Sequence, residues 1–184
     1  MRGAFEAHLT VDTDRGADFE ARCRELGVDH VGIELAEGVH RAQPMTASHH
    51  RGELAEVMAE VAALRDQLAA AGFTVVRTKI EAAVDNAGLP TADGYFEFHI
   101  KVAVDDTEDL AERAAKHGGR LSRSERRPGQ RFVTLRAYTD RATAEARLAD
   151  LLAALDGFDV RGVVREYTVY DSRIQLDQGW LEPA

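Results

Sequence analysis

One seven-residue pattern, met twice, constrains this chain more than anything else in it. Phe5-Glu6-Ala7-His8-Leu9-Thr10-Val11 and Phe96-Glu97-Phe98-His99-Ile100-Lys101-Val102 both alternate apolar and polar side chains. That is the period of a strand with one buried face. Phe5, Ala7, Leu9 and Val11 share one face; Glu6, His8 and Thr10 share the other. In the second copy Phe96, Phe98, Ile100 and Val102 oppose Glu97, His99 and Lys101. A Glu-x-His pair therefore projects from the polar face of each strand.

The spacing extends beyond these strands. His8 to His99 is 91 residues, and so is Gly27 to Gly118; Arg41 to Arg131 is 90 and Gly72 to Gly157 is 85. The last offset is shorter because the second long helix is shorter. Asp85-Asn86 and Asp171-Ser172 close the two halves alike. The chain reads as two copies of one module.

In the first half a strand over Phe5 to Val11 leads to a helix carrying Phe19, Cys23 and Leu26, with Asp12, Thr13 or Asp14 as N-cap and Gly27 as its stop. Asp29 to Leu35 reads as a second strand and Arg41 to Ser48 as a short third one. Pro44 lacks a ladder donor, so it belongs at an edge or bulge. Ser48 is placed to cap a long helix, roughly Arg51 to Ala71, whose stripe is Leu54, Val57, Met58, Val61, Leu64 and Leu68. Phe73 to Ala82 ends the half. Asn86, Gly88, Pro90 and Gly94 mark a linker. The second half repeats the order. It has strands over Tyr95 to Val104, Arg120 to Ser124, Arg131 to Tyr138 and Val160 to Tyr170, with a turn at Arg127 to Gln130. Its helices run through Leu110 and Ala114, and through Leu148, Leu151, Leu152 and Leu155.

Each half is thus β-α-β-β-α-β, the ferredoxin-like plan. The expected fold is α/β in the α+β sense: two tandem ferredoxin-like modules with antiparallel sheets, related by a pseudo-twofold axis. The modules span 1–86 and 94–172, joined by a linker at 87–93. The tail, 173–184, carries Ile174, Leu176, Trp180 and Leu181 and is too apolar to be free, so it should pack on the body. The polar faces of the two first strands should line a cleft between the modules.

Composition narrows the function. A net charge of -9 argues against general nucleic-acid binding, which needs a basic footprint. Cys23 is the single cysteine, so no internal disulfide or cysteine metal cluster is expected, and Cys23 reads as a small buried hydrophobe. No basic segment followed by an apolar run opens the sequence, and no apolar run approaches the roughly 20 residues of a membrane span. A cytoplasmic protein without membrane contact is the expectation.

The cleft candidates are ionisable groups on mid-sheet strands: Glu6, His8, Thr10, Glu97, His99 and Lys101; then Arg77, Lys79 and Glu81; then Arg136 and Tyr138; then Glu166. Charges there cost several kcal/mol unless paired. The first reading is a small anionic, phosphorylated ligand. Arg77, Lys79, Lys101 and Arg136 would hold its oxygens, with Glu6, Thr10, Glu97 and Tyr138 around it. His8 and His99, with Lys101, would be the catalytic groups if the ligand is turned over. No cofactor is needed for this. A solvated open sheet face is the bland alternative, and a non-enzymatic binding or assembly protein is another.

His8-Leu9-Thr10-Val11 resembles the His-x-Thr/Ser motif of the 2H phosphoesterases, two-lobed proteins with one motif per lobe. The resemblance implies His8 as acid or base and Thr10 as a phosphate-binding hydroxyl. In the second copy Lys101 stands where that hydroxyl belongs. Glu97-Phe98-His99-Ile100-Lys101 also resembles the Glu-x-Glu-x-Lys strand of the CYTH triphosphate tunnel, with His99 for the middle Glu.

A second reading is a divalent metal held by His8, Glu81, His99 and Glu166, two from each half; such oxygen and nitrogen donors suit Zn, Fe, Mn or Ni. Asp29-His30-Val31-Gly32-Ile33 resembles the opening strand of vicinal-oxygen-chelate enzymes, which build a metal site from two repeats. Their modules lack a long second helix like Leu54 to Leu68. Two further clusters stand out. Arg120, Arg123, Arg126, Arg127, Arg131 and Arg136 form either a solvated hairpin or an anion-binding rim, and His49-His50-Arg51 sits where the long helix is expected to start. Asp171, Asp177 and Trp180 are candidates for a lid.

Overall fold

A computed structural model describes residues 1–90, 94–125 and 129–181. The linker's Thr91 to Asp93, Arg126, Arg127 and Pro128 of the expected turn, and the tail's Glu182 to Ala184 lie outside the described residues. The elements are β1 (Arg2–Asp12), α1 (Gly16–Leu26), β2 (Asp29–Leu35), β3 (Ala42–Glu53), α2 (Leu54–Ala70), β4 (Thr74–Ala83), β5 (Tyr95–Ala103), α3 (Glu108–Lys116), β6 (Arg120–Ser124), β7 (Gln130–Ala137), α4 (Arg141–Ala154), β8 (Asp159–Asp171) and a 3-10 turn at Ile174–Asp177. The fold is mixed α+β, and every strand pair is antiparallel.

The strands close into one barrel in the order β1-β3-β2-β6-β7-β5-β8-β4, with β4 returning to β1. Within each half the order is fourth, first, third, second. The halves meet along two seams, β2 on β6 (Ile33 opposite Ser124) and β4 on β8 (Ala82 opposite Tyr167). An expected cleft between two lobes is therefore the inside of a closed barrel. Eight strands enclose an interior just wide enough for side chains or one small ligand.

The alternation decides which way each face points. Phe5, Ala7, Leu9 and Val11 are buried outside the barrel wall against Phe19 and Cys23 of α1 and Val57, Val61, Leu64 and Leu68 of α2. Phe96, Phe98, Ile100 and Val102 pack likewise against Leu110 and Ala114 of α3 and Leu148, Leu151 and Leu155 of α4. Each large side chain so buried contributes about 1.5–3 kcal/mol. These two outer cores hold the wall, so the interior need not be apolar. Cys23 is buried as read from the sequence. Met58 is not part of its stripe; at 41% exposure it faces out.

Three local expectations are corrected. β3 runs twelve residues to Glu53, so His49, His50 and Arg51 lie on a strand and not at a helix start. The α2 N-terminus is closed by Glu56, whose Oε2 accepts from the Glu53 N–H at 3.0 Å, in place of Ser48. Ser48 Oγ instead lies 2.8 Å from His50 Nε2, and His50 Nδ1 lies 2.7 Å from Glu60. The α1 N-cap is Arg15, not Asp12, Thr13 or Asp14. Pro44 does sit where donors run out: β1 pairs with β3 only from Met45 onward, and Pro44 faces Gly32 of β2 alone. The linker's start is pinned, with the Asn86 side chain bonded to the Ala4 N–H at 3.0 Å and the Ala4 carbonyl at 2.7 Å.

Candidate functional site

The barrel interior holds a cavity of about 280 Å³, and its lining is two-sided. One wall is polar: Glu6, His8 and Thr10 of β1, Arg77, Lys79 and Glu81 of β4, Glu97, His99 and Lys101 of β5, and Glu166 of β8. The other is largely apolar, with Val31, Ile33 and Leu35 of β2, Met45 of β3, Phe132 of β7 and Trp180 of the tail, interrupted by the uncharged polar side chains of Gln43, Ser122, Ser124 and Thr134. Strands β1, β4 and β5 thus aim their even-spaced polar residues inward, the consequence of wrapping their apolar faces in helices.

One end of the barrel is plugged. After β8 the chain turns through Ile174–Asp177 and drives Asp177, 1% exposed, into the wall. Arg77 grips Asp171 in a fork, Nε to Oδ1 at 2.9 Å and Nη2 to Oδ2 at 2.6 Å, and reaches both Asp177 oxygens at 3.0 Å. Arg136 donates to Glu97 Oε2 and to Asp177 Oδ2, each at 2.7 Å. Its guanidinium stacks 4.4 Å from the Tyr95 ring centre, and the Tyr95 hydroxyl donates to Asp171 at 2.7 Å. Gln43 donates to Asp177 at 3.2 Å. Trp180 seals the plug, its indole N–H on the Leu121 carbonyl at 2.9 Å and its ring packed with Leu35 and Leu181. Of the expected lid residues, Asp177 and Trp180 line the cavity and close this end as a fixed plug, and Asp171 pairs with Arg77.

The middle and the other end are built differently. Lys79 Nζ bridges the halves, 2.6 Å from Glu81 and 2.6 Å from Glu97. Each histidine sits between two carboxylates. His8 Nε2 is 3.1 Å from Glu81 and 3.6 Å from Glu6; His99 Nε2 is 3.3 Å from Glu97 and 3.6 Å from Glu166. Their other nitrogens are held from behind, His8 Nδ1 by the Thr46 carbonyl at 3.2 Å and His99 Nδ1 by the Thr134 hydroxyl at 3.0 Å. A carbonyl only accepts, so His8 Nδ1 carries a proton. Neutral His8 would then aim the Nε2 lone pair at Glu81. A second proton or another cation has to lie there.

The electrostatics follow. Burial disfavours the imidazolium of His8 and of His99, yet the hydrogen bonds and charges of Glu81 and of Glu97 outweigh it, and both values are raised. Burial opposes the charge of Glu81, but Lys79 and His8 hold its carboxyl down at about 2. Glu97, held by Arg136 and Lys79 against its burial, is also well below the usual carboxylate range. Glu166 goes the other way. Burial, then the charge of Glu81, lifts it to about 7, and the described residues give it only His99 as an ion partner. Glu6, Glu81, Val164 and Glu166 also border an outer groove with His49, His50, Arg51 and Arg165. That shared rim is the mouth of the cavity.

The sequence reading and the structure differ in what the cations do. Arg77, Lys79 and Arg136, assigned to ligand oxygens, are each spent on two carboxylates. Among the described residues only Lys101 lines the cavity without an ion pair. Arg136 lies behind Glu97, and Tyr138 lies past the end of β7 against Tyr95, bordering an outer groove and not the cavity. Of the expected arginine rim, Arg120 pairs with Glu37 at 3.0 Å and Arg123 with Glu34. Of the four metal candidates, Glu81, His99 and Glu166 bring one ligand atom each within 4.8 Å of one another, and His8 touches Glu81. Sequence reasoning missed the fixed role of Asp171 and Asp177 and the apolar wall. The alternation of Val31, Ile33 and Leu35 was the available signal for the latter.

No helix among the described residues is long and apolar enough to cross a membrane. Neither a protein-family model nor a curated protein matches the sequence. Among solved structures the chain is similar to a chlorite dismutase variant of Candidatus Nitrospira defluvii, 13% identical over 91% of this chain and 92% of that one, with a TM-score of 0.32. It is also similar to a Fusobacterium nucleatum protein provisionally described as a monooxygenase, 12% identical over 99% and 97%, with a TM-score of 0.37. Likeness at this level carries no argument, and the site rests on its own geometry.

Proposed function

We propose that the barrel interior binds a small, partly apolar molecule and exchanges protons with it through the two Glu-x-His strands. The observation that carries this is the two-sided lining of one 280 Å³ cavity. An apolar wall with a few convergent polar groups is the usual make-up of a site for a small organic ligand. His8 on Glu81 and His99 on Glu97 supply positioned acid–base pairs. On the same reading the two halves are copies of one βαββαβ module joined edge to edge, supported by their common spacing and pairing order.

Charge selects the ligand. Glu6, Glu81, Glu97, Glu166, Asp171 and Asp177 face four fixed cations, Arg77, Lys79, Lys101 and Arg136. The excess is negative until both histidines are protonated. A neutral or cationic head with N–H or O–H donors, such as an amine or alcohol, suits this better than a phosphate. The phosphorylated ligand expected from the sequence keeps one supporting observation, Lys101 without an ion pair among the described residues.

Thermal unfolding against panels of amines, alcohols, carboxylates and phosphate esters separates the two. A ligand at a hundred times its Kd adds about 2.7 kcal/mol. Stabilisation by amines or alcohols, lost in Ile33→Trp, which fills the apolar side, is the expected result. Stabilisation by phosphate esters alone, lost in Lys101→Met, would restore the anionic reading. Silence from every class would leave the cavity a structural void.

A further inference from the structure

We infer that Glu81, His99 and Glu166 hold a divalent transition-metal ion at the mouth of the cavity, with His8 as a fourth ligand. The inference goes beyond the organic ligand and does not require it. It rests on three observations about this cluster.

First, the donors converge. One atom from each of Glu81, His99 and Glu166 already lies within 4.8 Å of the others. An ion about 2.0–2.2 Å from each oxygen or nitrogen holds its ligands about 3.3–4.3 Å apart, so small side-chain rotations close the set. Second, the histidines are prepared from behind. Thr134 occupies His99 Nδ1 and the Thr46 carbonyl occupies His8 Nδ1, so both Nε2 atoms face the carboxylates. A second contact that fixes the ring in this way is the regular companion of a ligating histidine. Third, charge is missing at this point. The plugged end matches each arginine with acids, whereas Glu166 is a carboxylate only 12% exposed whose ion partner among the described residues is a histidine alone. With Glu166 ionised and both histidines neutral, as ligands must be, the interior acids outnumber its fixed cations by two, the charge a divalent ion supplies. Mixed oxygen and imidazole donors with no thiolate suit Zn, Mn, Fe, Co or Ni.

The test is titration of chelator-treated protein with Zn²⁺, Mn²⁺ and Co²⁺ by calorimetry, with the Co²⁺ visible spectrum as a second readout of its ligands. We expect one ion per chain. Glu166→Gln and His99→Ala should each weaken binding at least about tenfold and alter the Co²⁺ bands. His49→Ala, on an exposed neighbouring histidine, should change neither. Glu166→Gln keeps the side-chain shape, so loss of binding in that variant, melting no lower than its parent, is loss of a ligand and not of the fold. Absence of binding in the parent, or equal binding in parent, Glu166→Gln and His99→Ala, would overturn the assignment. Because no organic compound enters the titration, its result is independent of the ligand panels.

Discussion

The two ends of the barrel carry similar densities of charge and use them in opposite ways. At the plugged end Arg77 and Arg136 share Asp177, and Asp171, Glu97, Tyr95 and Gln43 complete the set. Apart from Arg136 Nη1, which has no hydrogen-bond partner among the described residues, its acids and guanidinium groups are matched with good geometry, which is what a buried ionic network needs to offset its desolvation. At the mouth Glu6, Glu81 and Glu166 converge on two histidines, and the nearest fixed cation, Lys79, is shared between Glu81 and Glu97. The comparison teaches that burial of charge does not by itself mark a functional site. The mark is burial with titratable or missing partners, and the mouth has it.

The largest expected effect tests the plug. Asp177→Ala leaves two buried arginines short of an anion and should cost about 3–5 kcal/mol, read by denaturant unfolding. A loss below 1 kcal/mol would show that the tail is not what holds this end.

The next effect tests the mouth through pH. The folded Glu166 titrates at about 7 against 4.5 for an ordinary glutamate. Its contribution is therefore fully present below 4.5 and lost as pH rises through 7, about 3 kcal/mol in all. His8 and His99, also raised, act in the same direction: their contribution is present below 6.5 and lost as pH climbs through their folded values. Glu81, Glu97 and Asp171 are lowered, so their contribution disappears only as pH falls below the ordinary carboxylate range. Stability measured with chelator present should peak near pH 5 and decline toward pH 8. Glu166→Gln should flatten that decline, and an unchanged slope would contradict the proposed state of Glu166.

The smallest effect compares two lysines on the polar wall. Lys101→Met removes no ion pair among the described residues and should change stability by less than about 1 kcal/mol, whereas Lys79→Met removes the lysine that the buried Glu81 and Glu97 share and should cost several times more. Similar losses in both would mean that Lys101 has a structural partner.

Much of this was legible in the sequence. The β-α-β-β-α-β order and the polar faces that carry Glu6 and His8, Glu97 and His99, Glu81, and Glu166 follow from strand alternation. The misplaced elements have local causes. His49 to Arg51 were read into a helix because β3 has little apolar alternation at its end. Tyr138 was read into the site because a face continues in sequence after its strand has stopped.

By itself the sequence determined which side chains share a face, because a strand's period is two and the apolar faces had to be buried. It also determined that the polar faces would be crowded with charge. Only the tertiary structure decided what those charges do. Pairing β2 with β6 and β4 with β8 turned two open faces into one interior. The return of the tail brought Asp177 to arginines at positions 77 and 136. Those contacts span up to a hundred residues, beyond the reach of any local pattern, and they leave the mouth as the place where charge is not fully matched.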